Sequence, residues 1–133
     1  RKAVSWNNNK KQKPGKKAAT DDAELTRAMR FDVRDQIMDF KRGRTECELC
    51  GRPAERTTNG FPRLEADHFP TLFRTIKASF LATNRQRPPV GNHGIEKTIL
   101  DGAWRAMWQQ FHREKATYRG LCKACHVQHG RRA

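Results

Sequence analysis

From Leu25 onward apolar residues recur at steps of four and three, with Leu25, Met29, Val33, Ile37 and Phe40 on one face. That is the period of an amphipathic helix, which Thr20-Asp21-Asp22 can cap and Lys41-Arg42-Gly43-Arg44 ends. Residues 52–60, from an Arg-Pro to an Asn-Gly pair, read as loop and turn. Over 64–68 the period changes to two: Leu64, Ala66 and His68 alternate with Glu65 and Asp67 as in a short strand, and Pro70 stops it. Leu72, Phe73, Ile76, Phe80 and Leu81 predict a second helix, and residues 84–94, rich in Pro and Gly, predict a loop. A third helix is expected over about 95–115, burying Ile99, Ala103, Trp104, Met107, Trp108 and Phe111. A strand over 118–121 then leads to a last helix beginning near Lys123. Helices interleaved with a few short strands give an α+β class.

Composition narrows the partners. The 133 residues suit one domain, with a core modest enough to profit from a metal staple. A net charge of +14 and a pI near 10.4 point to a polyanion, nucleic acid before a membrane surface. No run of about 18 apolar residues exists, so no membrane span is expected. Residues 1–20 hold seven basic and no acidic side chains, half of the net charge, and read as a disordered basic arm ahead of a single domain over 21–133. Lys10, Lys11, Lys13, Lys16 and Lys17 of the arm, with Arg131 and Arg132 at the other end, are the expected phosphate contacts.

The densest chemistry lies in Leu121-Cys122-Lys123-Ala124-Cys125-His126-Val127-Gln128-His129. A second Cys-x-x-Cys, Cys47-Glu48-Leu49-Cys50, precedes Gly51 upstream, so two matching knuckles account for all four cysteines. Each tight turn aims two sulfurs at one ion, and together they predict a tetrahedral structural zinc. Two rival readings exist. Cys122 to His126 also spells the c-type haem attachment motif, which leaves Cys47 and Cys50 unused and expects an exported protein, whereas no apolar signal segment is present. Disulfides within Cys-x-x-Cys pairs close very small loops and are poor staples. The paired thiols and lack of a signal segment suggest the cytoplasm. The 71 residues between the knuckles must loop out and return, which makes Asp67, His68 and His126 neighbours. Such a set offers a carboxylate and an imidazole to a hard cation and a second imidazole to a proton. His129, one turn beyond His126, is a further ligand or a phosphate contact. Trp104 and Trp108 are core residues before they are a base-stacking surface.

The order Cys47-Glu48-Leu49-Cys50, Asp67-His68-Phe69-Pro70 and Leu121-Cys122-Lys123-Ala124-Cys125-His126 resembles the HNH endonucleases, the His-Me finger or ββα-metal family, in their zinc-bearing four-cysteine subtype. The resemblance spans about half of the chain. It implies a small ββα-metal core with a structural four-cysteine zinc site and flanking helices; the helical insert at about 71–115 departs from the family, which usually has a short loop there. It further implies His68 as general base, Asp67 and His126 as ligands of a catalytic magnesium or manganese ion, and hydrolysis of phosphodiesters, most readily in double-stranded DNA. A phage protein acting in the host cell would suit the family, and a monomer or a homodimer would serve. Pro70 stands one place early, and Thr117 occupies the family's middle Asn position, for which Asn92, His93 or His112 are the candidate substitutes. The insert, through Asp67 to Phe73 and Trp108-Gln109-Gln110-Phe111-His112, also bears a fainter likeness to the plant DCL-type domain. The alternative function is a zinc-stapled nucleic-acid-binding module without catalysis.

Overall fold

The structure, a computed structural model, describes residues 14–130, with side chains over 21–129. Helix α1 spans Pro14–Asp32 and α2 Arg34–Arg42. Strand β1 (Glu65–His68) is followed by α3 (Phe73–Thr83), the hairpin β2 (Val90–His93) and β3 (Glu96–Ile99), and α4 (Gly102–Lys115). Strand β4 (Tyr118–Leu121) leads into α5 (Lys123–Cys125), which runs on as one π-helical turn over His126–Gly130. Two two-stranded antiparallel sheets result, β1 with β4 and β2 with β3. The mixed α+β class is as the sequence predicts, and among the described residues no helix is long and apolar enough to cross a membrane.

Three boundaries differ from expectation. The first helix begins at Pro14, not at Thr20. Proline is at home in a first helical turn, where its missing N–H has no partner to lose. Residues 14–20 of the expected arm are therefore helical, Lys16 and Lys17 among them, while Lys10, Lys11 and Lys13 lie outside the described residues, as do Arg131 and Arg132.

The same helix breaks at Val33, because tertiary bonds capture both polar groups of Asp32. Its carbonyl accepts from Gln109 Nε2 at 2.7 Å, so the amide of Gln36 turns to the Val33 carbonyl at 3.0 Å. Its buried carboxylate accepts from Thr98 Oγ1 at 2.5 Å and the Ile99 amide at 2.9 Å, tying α1 to β3. Replacing Asp32 by Ala leaves a buried amide unpaired, and we expect a loss of about 3 kcal/mol. Urea unfolding should show a lower midpoint at an unchanged m-value; an unshifted midpoint would deny the link that role.

The third departure is the hairpin. Glu96–Ile99 is a strand and Ile95 a 90 % exposed turn residue, so the helix starts at Gly102, with Asp101 Oδ1 accepting from the Trp104 amide. Ile95 and Ile99, four apart, share a face in a strand as well as in a helix, so spacing alone could not separate the two. Gly94, at φ +63°, takes the first position of the two-residue turn, where most side chains are strained. The buried stripe of α4 is Trp104, Trp108 and His112, while Met107 is half exposed and Ala103 exposed.

Two cores result. The larger joins Leu25, Ala28 and Met29 of α1 and Val33 at the break after it to Phe73, Ile76 and Phe80 of α3, Ile99 of β3, and Trp104 and Trp108 of α4. The smaller buries only Cys47, Leu64 and Leu121 beneath the β1–β4 ribbon.

Candidate metal centre

The first knuckle is a turn in which the Gly51 amide donates to the Cys47 carbonyl at 2.9 Å, with Gly51 at φ +75° where a Cβ would be strained. It docks on β4 through a reciprocal pair: the Glu48 amide donates to the Gly120 carbonyl, and the Gly120 amide donates to Glu48 Oε2 at 2.7 Å. The second knuckle caps its own turn, the His126 amide donating to the Cys122 carbonyl at 2.9 Å. The sulfurs of Cys47, Cys50, Cys122 and Cys125 consequently lie within 4.8 Å of one another, all as free thiols. Cys50 and Cys122 sulfurs are 3.8 Å apart. Sulfurs at the corners of a tetrahedron about 2.3 Å from zinc are about 3.8 Å apart, so the set can hold a zinc ion.

The thiols themselves ask for a cation. Burial pushes Cys47 up, but backbone N–H groups of Cys50, Cys122 and Leu49 and the Cys50 side chain outweigh it and hold it near 6. Cys125, which donates within the cluster, first to Cys122, and is also partly desolvated, is pushed up to about 12. The Cys47 thiolate forms readily while Cys125 resists ionising, a conflict that a divalent ion relieves.

Beside the cluster, Asp67 and Glu65 leave β1 on one side and His68 on the other, by the alternation of a strand. Asp67 is buried opposite Arg119 in the register, and its Oδ2 accepts from Arg119 Nε at 2.8 Å. Its Oδ1 stands 3.7 Å from His126 Nε2, and His126 Nδ1 is hydrogen-bonded to Glu65 Oε1. The expected pair Asp67 and His126 is thus brought together. His129 does not join them: among the described residues, the four cysteines are the only group of three or more metal-ligating side chains that converges. The segment after Cys125 is a π turn, closed over five residues, so a residue three positions on no longer stacks above His126.

His68 points into an aromatic pocket, its ring 5.2 Å from that of Phe73 and 4.8 Å from that of Tyr118. It keeps 8 % exposure, and its Nε2 lies 3.0 Å from Nε2 of the fully buried His112. Burial, then the Arg30 cation, lowers His68 to about 4 against the opposing pull of Asp67; burial, then His68 and Arg113, lowers His112 to about 4. Both imidazoles are therefore neutral at pH 7. The Tyr118 hydroxyl, buried against this pair without a partner, is raised to about 12 by burial.

Of the three candidate substitutes for the middle Asn, only His112 reaches His68. Asn92 instead accepts from Lys97 on the hairpin, and His93 stacks on Phe31. Thr117 closes the ribbon next to His68, donating to the Phe69 carbonyl at 2.7 Å. Sequence reasoning missed Glu65 and Arg119. The first was legible, since residues two apart on a strand share a face; the second needed the register of β1 on β4.

The chain matches no protein family, no curated protein and no solved structure.

Proposed function

We propose that the protein is a metal-dependent endonuclease of the HNH type that hydrolyses DNA phosphodiesters. In this reading β1, β4 and the turn after Cys122 form a ββα-metal core, and zinc on the four cysteines fixes it. The observation that carries it is the facing of His126 and Asp67. His126 Nδ1 is hydrogen-bonded to Glu65 Oε1, which holds the ring so that its Nε2 faces Asp67 Oδ1 across 3.7 Å. An imidazole nitrogen and a carboxylate oxygen that face each other are ligand types that one divalent cation can share. Adjacent ligands of an octahedral ion about 2.1 Å away are about 3 Å apart, so a small closing movement would let the pair hold magnesium or manganese.

Two protein ligands leave positions for phosphate oxygens, and the bound ion would supply positive charge to the departing 3′ oxygen. His68, neutral and on the other side of the strand, takes a proton from water. The water oxygen bonds to phosphorus as the bond to O3′ breaks, leaving a 5′-phosphate and a 3′ oxygen that is protonated from solvent. In-line displacement needs base and leaving group on opposite sides of phosphorus, which suits a base and an ion on alternate sides of β1. The net charge of +14 favours a phosphate backbone as substrate, and a reducing compartment such as the cytoplasm suits four free thiols. One specific observation favours the rival, a non-catalytic nucleic-acid-binding module: Arg119 already occupies one oxygen of Asp67.

The test is incubation of zinc-loaded protein with supercoiled plasmid, with and without magnesium or manganese. Nicked or linear product formed only with the added ion is the expected result. Intact plasmid, single strands and RNA, together with tight, steeply salt-dependent binding, would replace the nuclease by the binding module.

A further inference from the structure

The two buried histidines belong to a longer chain of hydrogen bonds whose direction can be read from its far end. Gln36 Nε2 donates to the Gln109 carbonyl at 2.9 Å, which fixes the orientation of the Gln36 amide and turns its Oε1 toward His112. An amide oxygen only accepts, so His112 Nδ1, 2.7 Å away, carries the proton. A neutral imidazole protonated at Nδ1 has its lone pair on Nε2. His112 Nε2 is therefore the acceptor of the 3.0 Å bond, and His68 Nε2 is the donor. The remaining nitrogen of His68, Nδ1, must then hold the lone pair.

We infer that His112 is a positioning residue which, anchored by Gln36, locks His68 in its Nε2–H tautomer and so leaves Nδ1 as its proton-accepting nitrogen. The inference deepens the nuclease reading and rests on it. The geometry behind it is rigid: His112 is fully buried on α4, and Gln36 comes from α2, so two helices outside the ribbon hold one imidazole. Without that hold, His68 would divide its population between two tautomers and rotate among the rings of Phe73 and Tyr118. A base held in the wrong tautomer can lose several orders of magnitude in rate while binding is untouched.

The experiment uses zinc-loaded protein with 15N-labelled histidine and reads the His68 nitrogens by long-range 1H–15N correlation, alongside kcat and KM for plasmid nicking. Wild type should show a protonated Nε2 and an unprotonated Nδ1. His112→Phe should scramble the His68 signals and lower kcat about 100-fold or more with little change in KM. His112→Gln, which offers an acceptor oxygen, should restore much of both. Gln36→Leu is the sharper variant, because it leaves the two rings packed but frees His112 to reverse its own tautomer; it should move the His68 signals and kcat together. If wild-type His68 carries its proton on Nδ1, or if Gln36→Leu and His112→Phe keep the wild-type signals and kcat, the positioning role is overturned while the nuclease reading stands. If wild type leaves DNA intact, the nuclease reading falls and the catalytic role of the pair with it.

Discussion

Removing zinc from the four cysteines is expected to unfold the β1–β4 half of the molecule while much of the helical half persists. The asymmetry follows from the two cores. The larger is built from ten buried side chains across three helices and a strand, including a Trp108 whose indole N–H donates to the Met29 carbonyl at 2.9 Å. The smaller has three, one of them the ligand Cys47. Two of the three, Cys47 and Leu64, lie in the long connection between α2 and β1, whose only strand-like pairing among the described residues is two isolated bridges, Glu46 to Pro53 and Arg56 to Pro62. Ordering such a segment costs about 1–2 kcal/mol per residue in backbone entropy, far more than three apolar side chains return. A structural zinc, worth about 10–16 kcal/mol in peptides that fold around it, is the term large enough to close the gap. Chelator titration followed by circular dichroism should resolve a first, zinc-linked transition with release of one zinc per chain. Cys122→Ser should produce that state without chelator. Identical melting curves with and without bound zinc would show that the ion is not what holds the knuckles.

Replacing His68 by Ala is expected to lower plasmid cleavage about 100- to 10,000-fold, the usual contribution of a positioned general base, with zinc content retained. A buried imidazole also has a structural share, since its removal leaves His112 Nε2 without a donor and opens a space between Phe73 and Tyr118. Two controls separate these. His68→Asn restores a donor toward His112 and should recover stability without recovering cleavage. Free imidazole should partly restore cleavage to His68→Ala, because it can occupy the vacated space and accept the proton. Cleavage by His68→Asn at the wild-type rate would remove His68 from the chemistry.

Much of the candidate site was legible because its signals are local. Two Cys-x-x-Cys pairs state a ligand set by spacing alone, and only their meeting at one point required the fold. Asp67-His68 before a proline marks a strand end, and His126 follows the last thiol directly. The reading of one helix from the Thr20-Asp21-Asp22 cap to Lys41-Arg42-Gly43-Arg44 failed in detail where a tertiary bond competed with a local one: nothing near Val33 announces that Gln109, 77 residues from Asp32, claims its carbonyl. The hairpin was lost because four-residue spacing is common to helix and strand, and β3 gains its identity from Asp32 of α1.

The sequence by itself determined the four cysteines that can hold a zinc ion, the net positive charge and the α+β class, since each depends on residue type and short spacing. Only the tertiary structure decided the pairing of side chains. The register of β1 on β4 sets Arg119 against Asp67, and the return of the last knuckle sets His126 against Glu65. The packing of α4 and α2 on the ribbon made His112, a half-turn of pattern in the sequence, the partner of His68. Strand register and helix packing bring together residues far apart in the chain, and no local period records which of them will meet.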